Sequence, residues 1–244
     1  QAGSSTTSGV IINLGATTLT GAAVNTASSA FVSQGTSVAS NTATYLFDGD
    51  NSTNASIVDT LTGIENATGS NLADYIVGSA TANTITGGAG NDVLTGGAGA
   101  DTFVFSASNG SDTITDFDEA ADLIDVTAYL TTVTAAKVDA VPLVTSDDAM
   151  ENDHIFIVNY DGDLAGTAIE GAQFANLFDA TDGYLVTTKG VLDAVVVVQG
   201  DDQTEIFYVN NDNIAAIDAD DVTLVATLTG LTNTTLLTSA DFVF

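Results

Sequence analysis

Residues 69–104 read GSNLADYIV (69–77), GSATANTIT (78–86), GGAGNDVLT (87–95) and GGAGADTFV (96–104), one nine-residue unit repeated without a gap. Position one of each unit is glycine: Gly69, Gly78, Gly87 and Gly96. Position six carries Asp74, Asn83, Asp92 and Asp101, and position eight carries Ile76, Ile85, Leu94 and Phe103. A glycine, an oxygen-bearing side chain and an apolar residue held in phase mark a stacked repeat, because one such coil cannot bury its apolar residue alone. A flexible acidic linker would share the composition but would not keep its apolar residues in one phase.

The third and fourth units add glycines at positions two and four, giving Gly87, Gly88 and Gly90, then Gly96, Gly97 and Gly99. Glycine there allows backbone angles that side chains forbid, so carbonyls can turn toward a shared centre. Asp92 and Asp101 add hard anionic oxygens, the ligand type calcium prefers. Both units fit GGxGxDxUx at every defined position, and the stretch resembles the RTX family of calcium-binding nonapeptide repeats. The resemblance implies a parallel β-roll with two nonapeptides per turn and Ca2+ in the turns. Loops two units apart would then stack, pairing Asp74 with Asp92 and Asn83 with Asp101. Two bare carboxylates about 4 Å apart at a protein surface repel by roughly 4 kcal/mol, so folding and calcium binding are expected to be coupled. The first two units depart from the pattern, with Leu72 and Thr81 where the later ones have glycine.

Beyond the repeat, Thr102-Phe103-Val104-Phe105 reads as a strand, and a turn at Asn109-Gly110 leads into DTITDFDEAADLIDV (112–126). In this resemblance that segment closes the roll. Because Gly110 falls where position six of a fifth unit would stand, Asp112 or Asp116 is expected to complete the last site. The implied metal set is Asp74, Asn83, Gly87, Gly88, Gly90, Asp92, Gly96, Gly97, Gly99, Asp101, Asp112 and Asp116.

The flanks read as strand. Valine, isoleucine, threonine and aromatic residues between Gly and Asp/Asn turns predict strands at 10–14, 30–33 and 44–47, and again at 155–160, 185–188, 193–199, 205–209 and 222–228. One short helix is expected at 165–178, where Ile169, Phe174 and Leu177 are spaced near the helical period. The fold class is therefore all-β. A short parallel β-roll with its lead-in and closing segment (59–126) lies between an N-terminal β segment (1–58), acting as a cap or an assembly arm, and a C-terminal β-sandwich-like region (127–244). Asp48 and Asp50 read as a solvated turn. The run Asn210-Asn211-Asp212-Asn213 followed by Asp218, Asp220 and Asp221 lacks the glycine and spaced glutamate of an EF-hand loop, and reads as an acidic hairpin.

The chain has 32 acidic residues against two cations, Lys137 and Lys189, for a formal charge of −30 in 244 residues. Such a chain has no basic patch for nucleic acid or an anionic membrane, and it favours divalent cations. Hydrophobic residues make up 45% of it, ample for a core. With no cysteine, disulfides and thiolate chemistry are excluded. No apolar run is long enough for a transmembrane helix. The sequence opens at Gln1 without a methionine or a leader, as a processed or trimmed chain would. Its last residues, Asp241-Phe242-Val243-Phe244, resemble the C-terminal signal of type I secreted RTX proteins and also suit a terminal edge strand.

Catalysis needs a poised group beside a partner. The one histidine, His154, opens a predicted strand, and no H-E-x-x-H, G-x-S-x-G or P-loop pattern is present. No enzyme is expected. The composition resembles that of RTX-type S-layer proteins, so the sequence reading is a secreted, calcium-dependent, self-assembling surface or matrix subunit whose main partner is itself. Alternatives are the secretion and folding module of a larger toxin, protease or adhesin, or an adhesion module for a surface glycan.

Overall fold

The structure is a computed structural model that describes residues 9–19, 39–45, 57–106, 109–130, 138–141, 154–159, 192–200, 203–211, 221–231 and 237–243. The strands expected at 30–33 and 185–188, the helix at 165–178, the Asp48 and Asp50 turn and residues 212–220 lie outside them. The chain divides into two compact units, Gln1–Leu123 and Ile124–Phe244.

In the first unit, successive coils of the repeat contribute three-residue strands alternately to two parallel sheets. One holds β5 (Tyr75–Val77), β7 (Val93–Thr95) and β9 (Asp112–Ile114). The other holds β4 (Asn66–Thr68), β6 (Thr84–Thr86) and β8 (Thr102–Val104). Strands 18 residues apart are therefore neighbours, Tyr75 lying beside Val93 and Thr84 beside Thr102. The phase of position eight explains why. Ile76, Leu94 and Ile114 form one buried column and Ala67, Ile85 and Phe103 another, each apolar residue covered by those above and below it. Phe117 closes over Phe103 with ring centroids 6.2 Å apart and a tilted geometry.

The N-terminal segment extends the first of these sheets. β1 (Val10–Asn13) runs parallel to β5 and antiparallel to β2 (Thr42–Tyr45), and β2 pairs antiparallel with β3 (Ile57–Thr60). Ile11 packs with Tyr75 and Val93 in a second buried cluster, one residue out of phase with Ile76 and Leu94. Buried Asn13 secures the turn after β1, its amide donating to the Thr17 and Ala39 carbonyls and its Oδ1 accepting from the Gly15 amide.

The second unit contains β11 (Val138–Val141), β12 (His154–Asn159) and β13 (Leu192–Gln199) in parallel, then β14 (Gln203–Asn211) and β15 (Val222–Thr229) antiparallel. Ala194 to Val198 are all fully buried. A strand buried on both faces reads as a continuous apolar run rather than an alternation, which is how AVVVV arises. Asp125 and Ile124 of β10 (Leu123–Asp125) pair in parallel with β16 (Phe242–Val243). The terminal segment is thus built into a strand, entered by a short 3-10 turn at Ser239–Asp241. A capping box closes that turn, with the Ala240 amide donating to Thr238 Oγ1 and the Thr238 amide to Asp241 Oδ2.

Candidate metal centre

The turns between these strands stack as the strands do, and their position-six side chains form two ladders. The Asp74 amide donates to Asp92 Oδ1 at 2.7 Å, and the Asp92 amide to Asp112 Oδ1 at 3.0 Å. On the other side the Asn83 amide donates to Asp101 Oδ1 at 2.7 Å, and the Asp101 amide to Asp122 Oδ1 at 2.9 Å. The pairs expected from the resemblance, Asp74 with Asp92 and Asn83 with Asp101, are brought together. All of these side chains are buried, with Asp92 and Asp101 each 1% exposed.

The ladders place negative charge in a poor solvent. Burial is the main cause that raises every aspartate in them: Asp92 to about 7, Asp101 to about 6, Asp112 to about 8, with Asp74 and Asp122 also raised. Backbone amides pull the other way, and neighbouring carboxylates add to the rise for Asp92, Asp101, Asp112 and Asp122. A cation beside these carboxylates would offset that cost.

The side chains of the ladders differ in how fully they are hydrogen-bonded. Asp74, Asn83, Asp112, Asp116 and Asp122 each have their polar atoms engaged. Asp74 receives the Val10 and Ser70 amides and the Ser70 hydroxyl. Asn83 Oδ1 receives the Ser79 amide and its Nδ2 donates to the Glu65 carbonyl. Asp112 Oδ2 receives Asn109 Nδ2, and Asp122 Oδ2 the Asp118 amide. Asp116 caps the Gly96 and Gly97 amides at 2.7 and 2.9 Å. Among the described residues, the buried carboxylate oxygens with no partner are Asp92 Oδ2 and Asp101 Oδ2.

Those two oxygens lie in the two units that carry three glycines. Gly88, Gly90, Gly97 and Gly99 have φ of +107°, +116°, +99° and +119°. Methyl groups on Gly87 and Gly96 would lie 2.1 and 2.5 Å from Asp92 Oδ2 and Asp101 Oδ2, so the space beside each free oxygen exists only because glycine stands there. No three aspartate, glutamate or histidine side chains converge on one point among the described residues. A bound cation would therefore draw one or two carboxylates and otherwise carbonyl oxygens, a donor set suited to a hard ion such as Ca2+ and not to zinc.

An all-β roll of stacked glycine-aspartate turns with unsatisfied buried carboxylates defines a calcium-binding repeat module. Residues 68–103 match the family model of RTX calcium-binding nonapeptide repeats, in four copies. Calcium is the cofactor of such repeats, and the proteins that carry them are typically secreted. Among solved structures the chain is similar to the AlgE6R3 subunit of the Azotobacter vinelandii mannuronan C5-epimerase, at 18% identity over 75% of this chain and 81% of that one, with a TM-score of 0.24. No curated protein matches the chain.

Sequence reasoning missed several participants. Asp122 takes the place in the second ladder that Asp112 takes in the first. Their spacings of 20 and 21 residues, where the repeat has 18, hide this from a strict period of nine. Ser70 and Ser79 draw no notice from the repeat pattern, whose marked departures from glycine are Leu72 and Thr81. The signal available was serine four residues before Asp74 and Asn83, a spacing at which hydroxyl and amide reach back to the acidic or amide side chain.

Proposed function

We propose that the chain is a secreted structural protein, a subunit of a surface layer, sheath or filament, in which calcium is both folding cofactor and assembly trigger and no reaction is catalysed. The observation that carries this reading is the burial of Asp92 and Asp101, each 1% exposed with one oxygen unpartnered. An ion held there meets no substrate, so its work is to hold coils together. Binding energy spent on joining coils is folding energy. The charge of −30 keeps calcium-free copies apart, and divalent ions together with screening relieve that repulsion. Copies would join through sheet edges or terminal segments, at the cell surface or in the matrix around it.

The test is light scattering together with circular dichroism on the full chain, titrated with calcium and then with a chelator. β-structure and large ordered particles that appear together and dissolve on chelation support the proposal. A chain that folds on calcium but stays monomeric at high concentration overturns assembly and favours a secreted folding module. Retention of that monomer on a surface polysaccharide would favour the adhesion module instead.

A further inference from the structure

We propose that calcium enters only the glycine loops 87–92 and 96–101, and that Ser70 and Ser79 replace the ion in the two loops stacked against them. This deepens the calcium reading above and rests on it.

The four loops fall into two backbone classes. Positions two and four of the glycine loops all have positive φ, whereas Ser70, Leu72, Ser79 and Thr81, at the same positions of the first two units, do not. Among the described non-glycine residues only Asn41 has positive φ. The consequence is chemical. In the serine loops the position-two amide donates to the position-six side chain, Ser70 to Asp74 Oδ2 and Ser79 to Asn83 Oδ1. Each serine hydroxyl then donates its proton to the same side chain at 3.1 Å and accepts the position-four amide at 3.2 Å. The oxygens at position six are satisfied by donors of their own loop. In the glycine loops there is no hydroxyl, and the Gly88 and Gly97 amides do not reach Asp92 or Asp101. Gly97 donates to Asp116. One oxygen of each aspartate is left buried and bare.

The serine loops are thereby finished surfaces on which the glycine loops are laid. The Ala89 and Ala98 amides donate to the Ser70 and Ser79 carbonyls, both at 3.0 Å. On the far side Asn109 and the Asp118 amide satisfy the next carboxylates, Asp112 and Asp122. The calcium-requiring layer is bounded on both sides by protein donors.

The experiment counts ions on the full chain by native mass spectrometry, with a calcium isotherm alongside. Asp92→Asn and Asp101→Asn are each expected to lose one ion relative to the unaltered chain, while Asp74→Asn and Ser79→Ala keep the full count. Ser70→Gly with Leu72→Gly rewrites 69–74 as GGNGAD and is expected to gain one ion. An ion lost from a folded Asp74→Asn or Ser79→Ala chain overturns the proposal, as does a folded double-glycine chain with an unchanged count. If the aspartate variants do not fold, the Ser79→Ala count and the double-glycine count still decide. An unaltered chain that takes up no calcium overturns the calcium reading itself, whereas calcium uptake that is also lowered by Asp74→Asn overturns only the division of labour.

Discussion

Replacing Gly88 with alanine tests the stacking of the coils with a single methyl group. Gly88 has φ +107°, and a Cβ there would lie 2.0 Å from the Ser70 carbonyl oxygen. Ordinary C···O contacts begin near about 3.3 Å, so the two coils would have to part by more than about 1 Å. That movement takes the Ala89 amide out of reach of the Ser70 carbonyl, now 3.0 Å away. A side chain held at such a φ costs about 1–3 kcal/mol, and a lost hydrogen bond adds about 1 kcal/mol, roughly 2–4 kcal/mol together. At about 1.4 kcal/mol per tenfold in binding, and with the cost shared between the two ions proposed above, the calcium midpoint for folding is expected to rise about 5- to 30-fold. Gly63→Ala is the control, since Gly63 has φ +60° with nothing within 4 Å of its Cβ. It carries the conformational cost alone, about 1 kcal/mol, for a rise of about twofold. The assay is far-UV circular dichroism against free calcium. A Gly88→Ala midpoint no higher than that of Gly63→Ala would refute the stacking argument.

Three other outcomes follow from the same geometry. Because burial raises Asp92, Asp101 and Asp112 to about 7, 6 and 8 from an unfolded value of 3.8, the calcium-free fold retains protons that the unfolded chain has shed. Its stability therefore falls as pH climbs from the unfolded value toward those folded values; in chelator the β signal should be stronger at pH 5 than at pH 8, and an equal signal at the two would show that the roll tolerates bare carboxylates. Phe103→Ala empties a fully buried position against Phe117 and should cost about 3–5 kcal/mol, read by urea unfolding in saturating calcium; a loss under about 1 kcal/mol would mean the column is not packed. Asp241→Ala removes the acidic half of the capping box before β16 and should cost about 1 kcal/mol, seen as faster hydrogen exchange at Phe242 and Val243, with unchanged exchange counting against it.

Much of the roll was legible because its physics is local and periodic. Glycine at position one, an oxygen at position six and an apolar residue at position eight predicted which side chains turn inward, and they do so at Ile76, Ile85, Leu94 and Phe103. The partners of Asp92 and Asp101 beyond the repeat were harder. Extra residues between Phe103 and Asp122 change the spacing without changing the stack, so register had to come from the fold. Asp116, read as a candidate ligand, accepts the Gly96 and Gly97 amides, contacts that its distance from the repeat does not announce. The role of Ser70 and Ser79 depends on the sign of φ at their positions, which composition does not reveal. Pairing of β1 with β5 joins segments 64 residues apart, and β-strand propensity carries no information about such a partner.

The direction of the hydrogen bonds in the roll has a mechanical consequence. Bonds such as Thr113 N–H to the Asp92 carbonyl and Thr102 N–H to the Asn83 carbonyl, each 2.8 Å, run from coil to coil. A pull along that direction loads the coils in series and is resisted by the few bonds of one three-residue rung, whereas a pull along the strands is carried by the covalent backbone. The coil-to-coil direction is the soft one, and the same gaps are crossed by the bonds to the Asp92 and Asp101 carboxylates. Ions bound there would stiffen the roll along its compliant direction, making calcium a determinant of tensile strength in any material built from this chain.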